Sequence, residues 1–435
     1  MQEKSKNKLE LARGFRDFPP EEKILRDKIL SEMKKVFEIY GFVPLETPIV
    51  ERLDVMTLKS IFCEQSDVVS EMYTFKDQGG RELGLRYELT FQLARFVAMN
   101  PQLRMPFKRY QIGTVYRDGP IKAGRYREFY QCDVDIVGVP GVIADAEIIS
   151  LLNFLFKCLN LEVNIEVNSR KLLNDVLDWV GIPKPLQEST IISLDKLKKI
   201  GKQGVLEELQ VKGIDQKKID CLLDLLCVSG NNLDKLNFIK KIIGDTPGIN
   251  ELNELFEYLS LYNVDFIFLP SLARGLAYYT GPIWEIFLKN ENELNVSLAG
   301  GGRWDNMIGK YVGDEKINYP ATGVGIGFEP IMELIKKRDG LSIKTTSQLF
   351  IVPINTQKEC IKYVEYLRSQ NINVSMDLLN RSTSKNVEYA NALGIPFVGF
   401  IGVDELNSNK LKIKNMKTGE EKFVPLDEVK SFLNS

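Results

Sequence analysis

From Phe107 to Gly138 the chain reads FKRYQIGTVYRDGPIKAGRYREFYQCDVDIVG, two runs with the two-residue period of a strand on either side of a Gly/Pro/Lys/Arg loop. The pattern predicts a long antiparallel hairpin. Parity then assigns side chains to faces: Arg109, Gln111, Gly113, Val115 and Arg117 share one on the first strand, and Arg127, Phe129, Gln131, Asp133, Asp135 and Val137 share one on the second. A polar sheet face is often simply solvated. This one combines arginines, an amide and carboxylates with a glycine that leaves space above the sheet, as the floor of a site for a charged, polar ligand requires. The loop from Asp118 to Tyr126 is basic and could fold over an anion.

A chain of 435 residues is too long for one ordinary core and implies two or three domains. Its net charge of -2 argues against a general polyanion binder, so any nucleic acid must meet local basic patches. No apolar run is long enough to span a bilayer, and the polar start MQEKSKNKLE does not read as a signal peptide. A cytoplasmic protein is expected. The six cysteines include no C-x-x-C pair, so neither a disulfide framework nor a structural metal site is expected. There is no histidine at all. That excludes Ser-His-Asp and Cys-His nucleophiles, His-ligated metals and imidazole bases. Chemistry must rest on Arg, Lys, carboxylates, Tyr and backbone donors, which suit charge stabilisation in phosphoryl or nucleotidyl transfer.

Before the hairpin, Pro19-Pro20 and two acids open a helix whose apolar stripe runs from Leu25 to Tyr40, and FVPLETPIVERLD is extended, with Pro44 and Pro48 marking an edge. EMYTFKDQGGRELGLRYELT predicts a hairpin turning at Gln78-Gly79-Gly80, followed by the helix FQLARFVAM. Glu88 and Thr90 lie at that junction, and Thr90 reads by itself as the helix cap. Residues 169–263 change to Lys/Asp/Leu-rich helical periodicity, as in an inserted helical module. In LARGLAYYTG, Arg274 and two phenols, Tyr278 and Tyr279, stand among glycines between two strands. The triple-glycine turn of LAGGGRWDN and the alternating Gly323, Gly325 and Gly327 let a flat ligand or another backbone lie close to a strand. Beyond the linker RDGLSIKTTSQ, strands alternate with helices and predict a small α/β domain with a largely parallel sheet, ending in a hairpin at Thr418-Gly419 and a closing helix.

Several of these stretches together resemble the histidyl-tRNA synthetases of the archaeal and eukaryotic type, a class II aminoacyl-tRNA synthetase family, over essentially the full length. VYRDGP with GRYREFYQCDVDIVG is similar to the second class motif, LARGLAYYTG to the histidine-specific motif, GFVPLETPIVE to the first motif and GVGIGFEPI to the third; GGGRWDN also matches. The resemblance implies an α+β catalytic domain with an antiparallel sheet (1–168 and 264–340), a helical insertion (169–263) and a C-terminal α/β anticodon-binding domain (346–435). It also implies ligation of L-histidine to tRNA(His) through a histidyl-adenylate, with ATP and its Mg²⁺, in a homodimer whose interface includes Pro48. By family position Arg117 and Arg274 act on the α-phosphate, and Glu88, Thr90 and Gln131 hold the amino group. Asp135 and Tyr279 hold the imidazole, Tyr278 is a further histidine-binding residue, and Arg125, Arg127, Gly301, Gly302, Gly325 and Gly327 join Arg117 around ATP. Three departures stand out: Ala277 where many relatives carry Asp, Pro330 in place of the third motif's arginine for the γ-phosphate, and Asp135 where bacterial relatives carry Glu. The competing reading is a catalytically inactive paralogue that senses histidine or binds tRNA.

Overall fold

The structure is a computed structural model and describes residues 9–57, 70–121, 126–275, 278–289, 296–313, 319–341 and 343–434. In chain order its strands are β1 (Val43–Pro44), β2 (Val50–Arg52), β3 (Thr74–Lys76), β4 (Glu82–Leu85), β5 (Phe107–Tyr116), β6 (Glu128–Val137), β7 (Val163–Ser169) and β8 (Ile267–Phe268). There follow β9 (Pro282–Leu288), β10 (Ala299–Arg303), β11 (Ala321–Gly327), β12 (Leu349–Pro353), β13 (Val374–Met376), β14 (Phe397–Ile401), β15 (Lys410–Asn415) and β16 (Glu421–Pro425). Two compact units result, Met1–Arg16 with Ser31–Glu333 and Asp17–Leu30 with Leu334–Ser435.

The first unit is built on a sheet in the order β1-β5-β6-β11-β10-β9-β7-β8, antiparallel except where the short edge strands β1 and β8 run parallel to β5 and β7. The predicted hairpin is its β5–β6 pair, with Arg109 opposite Asp135, Gln111 opposite Asp133 and Gly113 opposite Gln131, so the odd positions do share one face. Pro44 sits at the sheet edge, where its missing N–H breaks no ladder. β2, β4 and β3 form a separate small sheet, and β3–β4 is the hairpin expected around Gln78–Gly80.

Where parity reverses, the residues are apolar: Cys132, Val134 and Ile136 are buried on the other face of β6. The helix Ile143–Cys158 packs on β11 and β6, and its sequence IADAEIISLLNFLFKC is apolar almost all round because it is covered almost all round. One acid in it, Asp145, is fully buried. Arg303 at the end of β10 answers it, with Nε and Nη2 donating at 3.0 and 2.5 Å, while Thr322 Oγ1 donates to its other oxygen at 2.7 Å. The remaining guanidinium protons go to the carbonyls of Val139 and Gly141 and to Asp305. The arginine of GGGRWDN is thus the clamp that joins β10, β11 and this helix.

Residues 169–263 fold as six helices within the first unit. Four of them begin at side chains that accept from the first turn's N–H groups: Ser169, Asp215, Asn231 and Thr246.

In the second unit the sheet order is β13-β12-β14-β15-β16, parallel across the first three strands and antiparallel beyond. Both faces of β12 are buried, Leu349 and Ile351 against Cys360, Val364 and Leu367, and Phe350 and Val352 in a second cluster with Ala390 and Ile395. That is why LFIVP reads as an unbroken apolar run rather than an alternation.

Arg303→Met leaves Asp145 charged, buried and unpaired and should cost roughly 3–5 kcal/mol. In urea denaturation followed by tryptophan fluorescence, the double variant Arg303→Met/Asp145→Leu should recover most of that loss.

Candidate active site

A cavity of about 320 Å³ lies over the polar face of the main sheet, between β6, β11, β10 and the start of the helix Thr90–Met99. Its lining brings together Glu88, Thr90, Arg117, Gln131, Asp135, Arg274, Tyr278, Tyr279, Gly325 and Gly327, residues the sequence places in four separate stretches. Thr90 does not cap its helix. The N-cap is Leu89, and Thr90 lines the cavity.

The floor is polar because β11 offers glycines to β6. Gly323, Gly325 and Gly327 pair with Asp135, Asp133 and Gln131. At Gly323 a Cβ would stand 1.8 Å from Asp135 Oδ1, so the carboxylate occupies the volume that a side chain would fill. The same relation recurs at Gly300, where a Cβ would meet the Arg274 guanidinium at 1.9 Å. Gly113 also makes room, but for protein: the Arg86 guanidinium fills the space above it, donating to the carbonyls of Thr47 and Thr114.

Charge is sorted along the floor. Glu88, Asp133 and Asp135 are buried acids at one end. Arg117 stands at the other, its Nε on Tyr87 O at 3.2 Å and its guanidinium carbon 4.3 Å from the Tyr87 ring centre. Gln131 bridges the two, accepting from Arg117 Nη2 at 3.3 Å and donating to Asp133 Oδ1 at 2.8 Å. Arg274 lies 3.6 Å from Glu285 and beside the Tyr279 ring. The Tyr278 and Tyr279 rings are tilted against each other with centres 4.6 Å apart.

Burial pushes Glu88 up to about 8, with Asp133 and Asp135 adding like-charge repulsion. Both aspartates are raised for the same first reason, burial, and held back by the Arg109 guanidinium. Burial also raises both phenols. Glu88 Oε1 and Arg274 Nε are buried without a hydrogen-bond partner. An unmatched acceptor and an unmatched donor on one cavity suit a ligand that carries both a cationic and an anionic group.

Other anticipated residues lie elsewhere. Arg127 pairs with Asp118 at 2.8 Å, donates to Gly119 O and is not among the lining residues. Arg125 and Ala277 lie outside the described residues. Gly300 takes the lining place anticipated for Gly301, because Gly300 and Gly302 pair with Gly325 and Gly323 and so share the cavity face, while Gly301 points away. Gly302 is on that face but covered, a Cβ there meeting the Tyr279 ring at 2.8 Å. Asp133, Glu285, Phe129 and Tyr87 line the cavity without having been singled out as ligands. For Asp133 the signal was present, since it lies between Gln131 and Asp135 on the same parity. Pro330 falls in the first turn of the helix Phe328–Asp339, where a missing N–H breaks no bond.

Residues 14–331 match the family profile described as histidyl-tRNA synthetase, and residues 348–435 match that of the anticodon binding domain. The chain belongs to the histidyl-tRNA synthetase family. It is 43% identical over 427 residues to histidine–tRNA ligase 1 of Bacillus cereus, covering 97% of this chain and 98% of that one. It is 40% identical over 425 residues to histidine–tRNA ligase of Aeropyrum pernix, covering 96% and 95%. The crystal structure of histidyl-tRNA synthetase from Nostoc sp. PCC 7120 superposes with a TM-score of 0.85 at 28% identity, covering 99% of each chain. The fold is therefore the class II synthetase catalytic domain, with a mixed sheet and a helical region, followed by an α/β anticodon-binding domain. Relatives at about the same identity occur in bacteria and in an archaeon.

The raised carboxylates predict how the ligand-free synthetase responds to pH. Glu88 has an ordinary value of 4.5 and a folded value of about 8, so folding takes up a proton. Its stabilising contribution is complete below about 4.5 and is lost as pH rises through about 8. Denaturation midpoints of the ligand-free protein should fall between about pH 5 and pH 9, and Glu88→Gln should flatten that dependence.

Proposed function

We propose that this synthetase joins L-histidine to tRNA(His) by way of a histidyl-adenylate, and that the cavity over β6 and β11 is where the adenylate forms. The observation that carries the proposal is the sorting of charge along one floor, acids at the Asp135 end and Arg117 at the other. The amino group of histidine lies against Glu88, Thr90 and Gln131, and the imidazole against Asp135, Tyr278 and Tyr279. The substrate's own carboxylate then faces the arginines, where the α-phosphate of ATP must sit.

This chemistry needs no histidine from the protein. An oxygen of the substrate carboxylate attacks the α-phosphorus, an O–P bond forms, and the bond to the pyrophosphate oxygen breaks. The nucleophile is already ionised at neutral pH, so no general base is called for. What remains is to bring two anions together and to neutralise the crowded phosphate, and Arg117 and Arg274 supply that charge. In the second half-reaction a ribose hydroxyl at the tRNA 3′ end attacks the acyl carbon, and AMP leaves. Discrimination comes from hydrogen bonds to the imidazole, which let a site reject isosteres by factors of about 10,000 or more without editing.

ATP enters as a substrate over Gly325 and Gly327, which leave the strand surface low, while Gly300 makes room for the Arg274 guanidinium. Mg²⁺ bound to ATP would supply charge neutralisation to the triphosphate. Magnesium is typically held by one or two carboxylates with phosphate oxygens, and Glu285, on the cavity wall beside Arg274, fits that pattern. Partners beyond the substrates follow the same reading. Residues 346–435 read the anticodon, and a second copy docks along the edge that holds Pro44 and Pro48, where Val43, Ile49 and Val50 are exposed. Among the described residues no helix is long and apolar enough to cross a membrane, and a cytoplasmic location fits tRNA charging.

Exchange of labelled pyrophosphate into ATP, tried with each of the twenty amino acids, tests the reading. Histidine alone should support exchange. Arg117→Ala and Arg274→Ala should each lower the rate about 100- to 1000-fold, roughly 3–4 kcal/mol. Histidine binding without any exchange would instead favour a histidine-sensing paralogue, and Pro330→Arg would then be the first variant to restore activity.

A further inference from the structure

Given the role proposed above for Asp135, we infer that Arg109 is a positioning residue for amino-acid recognition, orienting the Asp135 carboxylate and favouring its charged form so that it accepts an imidazole N–H. Arg109 is fully buried and is not among the cavity-lining residues, so it acts through its neighbours. Its Nη2 lies 2.8 Å from Asp135 Oδ2 and donates to Leu89 O at 3.3 Å. That carbonyl stands between Glu88 and Thr90, so one guanidinium nitrogen ties together the two elements assigned to histidine. Its Nε and Nη1 are buried without hydrogen-bond partners.

The strand register makes this a three-membered rung, Arg109 on β5, Asp135 on β6 and Gly323 on β11. The guanidinium stands on one side of the carboxylate as an ion-pair partner outside hydrogen-bond geometry, and the glycine leaves on the other only the volume that Oδ1 fills. A buried ion pair with spare donors stabilises a fold poorly beside an apolar pair of similar size. Stability alone therefore does not account for Arg109.

Around Asp135 the charged neighbours are unequal. β6 brings Asp133 and the segment before the helix Thr90–Met99 brings Glu88, both acids; β5 brings the Arg109 cation, and β11 brings glycines. Arg86 and Arg117 act further along, on Asp133, and Arg117 also on Glu88. Without Arg109, Asp135 would face only acids in its immediate shell and would take up a proton. A protonated Asp135 is a poorer acceptor for an N–H.

The test is histidine binding by calorimetry across about pH 6 to 9, beside ATP KM in pyrophosphate exchange. Arg109→Met should weaken histidine binding about 10- to 100-fold near pH 7. Against the wild-type profile, the loss should shrink toward about pH 9 as Asp135 ionises. The KM for ATP should change less than about threefold, and Arg109→Lys should recover most of the affinity. Arg109→Met/Asp135→Asn should bind no worse than Asp135→Asn alone. That double variant leaves no unpaired buried charge at this rung, so it decides the matter even where Arg109→Met does not fold. Additive losses in the double variant, or a loss independent of pH and equal for histidine and ATP, would overturn the role. Wild-type protein that binds histidine but does not exchange pyrophosphate would sink the ligase reading and leave Arg109's role standing; wild-type protein that binds no histidine would sink both.

Discussion

Antiparallel pairing of β6 with β11 sets Gln131, Asp133 and Asp135 opposite Gly327, Gly325 and Gly323, and the space left by those glycines lets polar side chains spread across a sheet that would otherwise be crowded. Strand parity makes the arrangement all or nothing. A slip of one residue would turn Gln131, Asp133 and Asp135 into the apolar layer and bring Cys132, Val134 and Ile136 to the cavity. These three apolar residues are at most 1% exposed, so burial on one face fixes the register that the other face uses. The Arg303–Asp145–Thr322 network reinforces it, because Thr322 is the residue of β11 next to Gly323.

Holding three carboxylates in so small a volume works against folding, since each must give up water for a setting with few donors. The protein offsets part of this with Arg109 beside Asp135 on the same face and with the Gln131 amide on Asp133. The rest is left open, as the partnerless Glu88 Oε1 records. A site organised this way is less stable empty than filled by a cation, and the difference appears as affinity for a ligand bearing an ammonium group. The apolar layers of the sheet carry that cost, and core residues such as Phe91 and Trp304 themselves line the cavity, which ties core packing to recognition.

Much of this could be read from sequence, for reasons specific to each element. The hairpin was legible because strand alternation is local, and the second unit because short apolar runs alternate with helices. Most of the cavity-lining residues named above, Glu88, Arg117, Gln131 and Asp135 among them, lie in stretches singled out through the resemblance. What was not legible depended on tertiary contacts. Gly113 reads as space for a ligand, yet Arg86, some 27 positions earlier in the chain, fills it. Three consecutive glycines have no side-chain alternation, so only pairing with β11 decides that Gly300 rather than Gly301 faces inward. Thr90 has the composition of a cap, but helix capping is a backbone geometry, and the helix starts one residue too early for it. Asp145 reads as one polar residue in an apolar helix until Arg303 is brought to it from 158 positions away.

A cavity with separated charge also orients its substrate before any specific contact forms. In the reading proposed here, a zwitterion entering with its ammonium toward Glu88, Asp133 and Asp135 places its carboxylate toward Arg117 and Arg274; the reverse entry meets like charge at both ends. Electrostatic complementarity of this kind favours the first pose over the second. Every amino acid shares that dipole, so orientation cannot select histidine. Selection falls to the groups that meet the side chain, and an imidazole differs from a hydrocarbon of equal size by its ring N–H and ring nitrogen. An ionised Asp135 serves an N–H donor and leaves an apolar side chain facing an unpaired charge, which makes the ionisation of one buried carboxylate the point where the electrostatics of the floor become specificity for one amino acid.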